Sequence, residues 1–104
     1  MTLRERFRDL AAEWKEATRY LSSTTQIAMH PAYQQIIGMG PDSLPLIFEE
    51  VQRSPDHWFW ALHAITGENP VLPEHAGDVS ATTDDWLRWA KDHNQLRKEQ
   101  NREE

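Results

Sequence analysis

The stretch Ser54-Pro-Asp-His-Trp-Phe-Trp-Ala-Leu-His-Ala-Ile-Thr-Gly67 constrains the fold of this chain more than any other. It reads as a helix bounded by its own punctuation. Ser54 suits the N-cap, Pro55 the first helical position and Asp56 the positive end of the helix dipole, while Gly67 suits the stop. At helical spacing Trp58, Ala61, Leu62 and Ile65 share one face, which Phe59 widens. Trp60 and Ala64 point the other way, with His57 and His63 at the borders. A helix apolar on nearly every side belongs in the middle of a domain, covered from more than one direction. Either a second layer covers Trp60, or Trp60 is exposed.

The rest of the chain must supply that cover. With 104 residues it is expected to form one domain, and a chain of this size hides roughly 60–70% of its unfolded surface. Five Trp, three Phe and two Tyr make such a core feasible without staples. Cysteine is absent, which excludes disulfides and thiolate metal sites and fits a reducing compartment. The opening Met1 to Arg8 holds no apolar leader, and no apolar run approaches the ~18 residues of a membrane span. A cytoplasmic protein is the expectation. The formal charge of −6 repels nucleic acid on average, so a nucleic-acid partner is disfavoured unless a local basic patch provides it.

The remaining helices follow from caps and periodicity. The first is expected over Leu3–Leu21, opened by a Thr2/Glu5 capping box. Leu3, Phe7, Leu10, Trp14, Ala17 and Leu21 form its apolar stripe. Arg4, Arg8, Lys15 and Arg19 fall within about 60° of one another on the wheel, and Glu5, Asp9, Glu13 and Glu16 occupy the next sector. Ser22–Thr25 is a polar break, and 26–30 is ambiguous. A second helix starts at Pro31, buries Tyr33, Ile36 and Ile37, and stops at Gly38. Asp42 is expected to cap the third, with Pro45 in its first turn and Leu44, Ile47, Phe48 and Val51 facing inward. After the Ser54–Gly67 helix, Pro70, Pro73 and Gly77 break 68–77 into a surface loop. Asp78 then caps the last helix, whose inward residues are Val79, Thr83, Trp86, Leu87 and Ala90, with Trp89 at the edge. No strand pattern competes. The expected fold is all-α, a compact domain of five helices over residues 1–94, followed by a charged tail over 95–104.

Residues 31–67 resemble a HEAT-type helical repeat. The order is a helix (Ala-Tyr-Gln-Gln-Ile-Ile), a Gly-Met-Gly-Pro turn, a helix opened by Leu-Pro-Leu-Ile, a Ser-Pro-Asp break, then Trp-Phe-Trp-Ala-Leu. The resemblance implies antiparallel helix pairs. Only about one and a half repeats are present, so the first helix and the Trp86 helix would have to close the core. The strings HPAYQQIIGMG, PDHWFWALHAITGENPV, PEHAG and WLRW also resemble a family of small bacterial proteins with no assigned activity. That resemblance implies a free-standing prokaryotic protein and brings no catalytic residues. By analogy with other small families of that kind, it suggests an accessory or antitoxin-like partner of a neighbouring gene product.

Candidate chemistry is sparse. The five histidines form no H-x-x-x-H or H-E-x-x-H pair. His75 lies in the loop near Glu74 and Asp78, a generic set whose ordinary reading is a polar loop, so no metal or other cofactor is expected. Ser22–Thr25 lacks a Gly-rich phosphate loop. Trp60 and His63 are neighbours at i, i+3, and Trp89 and His93 at i, i+4. Were their helices packed together, the four would make an aromatic–imidazole cluster, either as a second core layer or as a groove gripping a partner's side chain. Neither a nucleophile nor paired carboxylates accompany them, so no enzyme is expected. The basic ridge Arg4, Arg8, Lys15 and Arg19 reads first as snorkelling stems beside an apolar stripe, and second as a surface for an acidic partner. The expected function is a protein-interaction module, with another protein or a second copy as partner. The alternatives are a nucleic-acid binder through the basic ridge, or a small pocket around Trp60 and His63.

Overall fold

The computed structural model describes residues 2–54 and 57–95. Among them the chain is all-α. The helices are α1 (Leu3–Thr18), α2 (Thr24–Ala28), α3 (Pro31–Gly38), α4 (Leu44–Arg53), α5 (Phe59–Thr66) and α6 (Val79–Asp92), with 3₁₀ turns at Gly40–Ser43 and Pro73–His75. There is one helix more than expected, because the ambiguous stretch before His30 folds as α2. The Ser23 side chain accepts from Gln26 N and caps it. The tail residues 96–104 lie outside the described residues, as do Pro55 and Asp56.

Several local signals act as expected. Thr2 and Glu5 form the reciprocal capping box of α1. Asp78 accepts from Ala81 N at the start of α6, and Gly67 closes α5 in the left-handed conformation at φ 71°. Others are corrected. α1 stops at Thr18, whose hydroxyl donates back to Trp14 O at 2.7 Å. Its buried stripe is Phe7, Leu10, Ala11, Trp14 and Thr18, while Leu3, Ala17 and Leu21 are exposed. Asp42 does not cap α4. It sits in the 3₁₀ turn, and the Ser43 hydroxyl, wholly buried, donates to Gly40 O at 2.8 Å. Ser54 belongs to the end of α4, its N–H donating to Glu50 O at 2.7 Å, so α5 starts at Phe59 rather than after Ser54. In α6, Val79 is 54% exposed and Thr83 and Leu87 are half-buried, whereas Thr82 and Asp85 are buried beside Trp86 and Ala90.

A box of four aromatic rings holds the first half together. Trp14 lies 4.8 Å from both Tyr33 and Trp58, Tyr33 stacks on Trp58 at 5.8 Å, and Phe7 stacks on its far side at 5.6 Å. Such pairs add about 0.5–1.5 kcal/mol each beyond the area they bury. α1 therefore packs on α3, and α3 on α5. Trp14 Nε1 donates to Ile27 O at 2.9 Å, which ties α2 to the same box. The Tyr33 hydroxyl donates to His57 O at 2.6 Å and accepts from Ala61 N at 2.9 Å. That second bond satisfies a first-turn N–H of α5, whose own N-cap, Trp58, makes no side-chain cap. A residue of α3 thus caps α5 across the core. A second cluster, Phe48 with Trp86 and Trp89 at centroid distances of 5.8–6.4 Å, seats α6 on α4.

Candidate functional site

The two aromatic–imidazole pairs named from the sequence occupy different places. Trp60 projects from the outer side of α5 and is 38% exposed, the most open of the tryptophans among the described residues. Ala64, one turn on, is exposed beside it. His63 is exposed, and its Nδ1 lies 2.9 Å from Glu68 O. A carbonyl only accepts, so Nδ1 carries the proton and Nε2 is left to face outward. On α6, His93 stacks on Trp89 at 4.1 Å and 16°, its Nδ1 donating to Trp89 O at 2.8 Å. Trp89 is half-buried against Phe48 and Trp86. Among the described residues no ring contact joins Trp60 to Trp89 or His93, because α6 rests on α4 and leaves the outer side of α5 uncovered. The four residues do not form one cluster.

The basic ridge is largely answered from within the chain. Arg4 meets Glu49 through two hydrogen bonds, the shorter 3.1 Å, and Lys15 meets Glu50 at 2.7 Å. Arg19 pairs with Glu16 on its own helix at 3.0 Å, and its guanidinium lies 5.1 Å from the Tyr20 ring centroid. Arg53 also reaches Glu50. The hydrogen bond donated to Glu49 pushes the Arg4 guanidinium pKa further above its already high value. Arg4, Lys15, Glu49, Glu50 and Arg53 flank a groove of about 440 Å³ between α1 and α4.

One buried constellation had no sequence expectation attached. The Asp85 side chain is fully buried. It accepts from His75 Nδ1 at 2.7 Å, from Leu72 N at 3.1 Å and from Arg88 Nη1 at 3.2 Å. The Thr82 hydroxyl adds a bond to His75 O at 3.2 Å. One carboxylate thereby straps the loop between α5 and α6 to the face of α6. The hydrogen bond to His75, then those to Leu72 N and Arg88, outweigh desolvation and hold the Asp85 carboxyl below the usual carboxylate range. The same bond, donated to Asp85, raises the His75 pKa. The sequence signal was the position of Asp85 on the wheel, between Thr82 and Trp89 and next to Trp86, inside the buried stripe. The metal-like set of His75, Glu74 and Asp78 resolves differently: His75 turns to Asp85, and Asp78 caps α6. No three described His, Asp or Glu residues are arranged to hold a metal ion.

Neither protein-family models, nor curated proteins, nor solved structures give a match to this chain.

What the arrangement does chemically follows from its own geometry. Among the described residues no hydroxyl is hydrogen-bonded to the His75 imidazole, whose partner is the carboxylate of Asp85. The dyad orients a loop. No described helix is long and apolar enough to cross a membrane. The two features that face outward with chemistry to offer are the Trp60 side of α5 and the charged groove along α1.

Proposed function

We propose that this protein is a protein-interaction module whose docking face is the outer side of α5, anchored by Trp60 and flanked by His63. One observation carries the reading: on a helix apolar on nearly every side, Trp60 and Ala64 stay exposed, with no helix among the described residues packed over them. An all-round apolar helix in water calls for cover on each side. Burying the rest of a Trp side chain adds a large increment of the ~25 cal/mol per Å² that apolar burial contributes. Tryptophan is also the residue type most enriched at binding hot spots. His63, oriented by Glu68 O, offers a polar rim with a defined tautomer. The HEAT-type resemblance of residues 31–67 supports the same reading, since stacked helix pairs of that kind present concave binding surfaces. The reading needs no catalytic step and no cofactor, and a cysteine-free chain fits a cytoplasmic setting. The partner is another protein chain, a second copy or an accessory or antitoxin-like counterpart.

The test is site-specific photocrosslinking in the cells that make the protein. A photoreactive phenylalanine analogue at Ala64 is expected to trap one discrete protein species. That species is expected to vanish when Trp60→Ala is added, while the analogue at exposed Glu13 traps nothing defined. A trapped species that survives Trp60→Ala in a folded variant, or no discrete species at all, counts against the reading.

A further inference from the structure

The groove between α1 and α4 has a charge arrangement that its internal ion pairs leave incomplete. Arg4, Arg8 and Lys15 follow one another along the same side of α1. The outer two are 11 positions apart, about 16 Å along the helix axis. Both lean to adjacent residues of α4, Arg4 to Glu49 at 3.1 Å and Lys15 to Glu50 at 2.7 Å. The two bridges converge like the sides of a V, and Arg8 stands between them, making no ion pair among the described residues. Glu50 is shared, since Arg53 reaches it as well. Four cations therefore face two carboxylates around the groove, a surplus of two positive charges in a chain whose formal charge is −6. Beneath the charges the floor is apolar: Phe7, Ala11 and Leu46 are buried in the core and show one edge to the groove, with Ala12 on the rim. Its volume of about 440 Å³ lies within the roughly 300–1,000 Å³ of small-molecule sites, with walls more charged than is usual for them.

We infer that this groove binds a free amphiphilic organic anion, with its carboxylate on Arg8 and its hydrocarbon body on Phe7, Ala11 and Leu46. The chemistry selects that class. A guanidinium offers a carboxylate two parallel N–H donors, and the apolar floor rewards a hydrocarbon body where an inorganic anion would gain nothing. The groove is built from different elements than the Trp60 face, so the two sites stand or fall separately.

Octanoate is the probe. Titrated into the isotope-labelled full chain, it is expected to shift the amides of Arg8, Ala11, Ala12 and Leu46 and the Arg8 Nε–H in a saturable way. 1-Octanol, of the same length without the charge, is expected to bind at least tenfold more weakly. Arg8→Glu is expected to lower octanoate affinity at least tenfold. Ala12→Glu, at an exposed helical position that leaves the core untouched, is expected to do the same by narrowing the mouth. Arg8→Lys is expected to retain part of the affinity. Absence of saturable shifts, equal shifts around Arg19 and Arg88, or unchanged affinity in a folded Arg8→Glu variant would each overturn the inference. A second arm adds phosphatidylglycerol vesicles. Vesicle capture that depends on Arg8 in a protein with no saturable octanoate binding would assign the site to a lipid surface and refute the free anion.

Discussion

Tyr33→Phe isolates a bond that no local rule of helix formation supplies. The Tyr33 hydroxyl caps α5 from across the core, accepting from Ala61 N at 2.9 Å and donating to His57 O at 2.6 Å. Removing one oxygen leaves the ring packed between Trp14 and Trp58 but orphans the buried Ala61 N–H. An unsatisfied buried donor costs about 1–3 kcal/mol, and losing the bond to His57 O adds about 1 kcal/mol. The expected destabilisation is therefore about 2–4 kcal/mol, a large share of the 5–15 kcal/mol of a typical domain. At about 4–8 °C per kcal/mol for a domain near 100 residues, the midpoint should fall by at least ~8 °C. Urea unfolding followed by circular dichroism gives the free energy, and an unchanged m-value shows that the folded and unfolded states keep their compactness. A loss below ~0.5 kcal/mol, the range of ordinary surface substitutions, would show that water or a local shift caps α5 just as well. Burial raises the Tyr33 pKa above the ordinary phenol value. The folded state therefore holds its proton longer than the unfolded chain, and stability should fall as pH climbs past about 10.

Asp85→Asn removes the charge at the foot of the loop strap. His75 has a raised pKa in the folded state, so its contribution is complete below about pH 6.5 and fades as pH rises through the raised value. Asp85 has a lowered one, so its contribution is present above about pH 4 and is lost as pH falls through the depressed value. The strap is therefore strongest between about pH 4 and 6.5. In Asp85→Asn the His75 titration, followed by its ring-proton NMR signal, should move down towards 6.5 and the pH dependence of loop protection should flatten; an unmoved His75 would deny the pairing. Gly67→Ala puts a side chain at φ 71° with open space around the new Cβ, so only backbone strain opposes it. The expected cost is about 1–2 kcal/mol by thermal unfolding, with Gly67→Asn milder because Asn tolerates that conformation. Equal stability in all three proteins would contradict the left-handed cap.

What could be read from the chain was local. The Thr2/Glu5 box, Asp78 and Gly67 act within four residues of their targets, and each does what its type and position imply. The Trp14, Trp58 and Trp86 core positions follow from helical spacing alone. The misplacements have a shared cause in tertiary context. Ser54 reads as the start of α5 because nothing in the sequence points from Tyr33 to Ala61, 28 residues on. Leu3 and Leu21 read as part of the α1 stripe because both are leucines at helical spacing, yet α1 ends at Thr18 and both side chains are exposed. Asp85 beside Asp84 reads as a solvated acidic pair. Its burial depends on His75 and Leu72 arriving from the loop, and a carboxylate is buried only where such donors meet it. The basic ridge was visible in the sequence, but the carboxylates that meet Arg4 and Lys15 lie 45 and 35 positions away on α4.

The central claim is that the outer side of α5 awaits a partner while the other tryptophans serve the core. Fluorine NMR of the chain labelled with 5-fluorotryptophan tests it most directly, each signal assigned by a single Trp→Phe variant. When extract of the cells that make the protein is added, the Trp60 resonance is expected to shift or broaden selectively, with the Trp14, Trp58 and Trp86 signals in place. A Trp60 signal that stays fixed, or signals that all move together, would contradict the account.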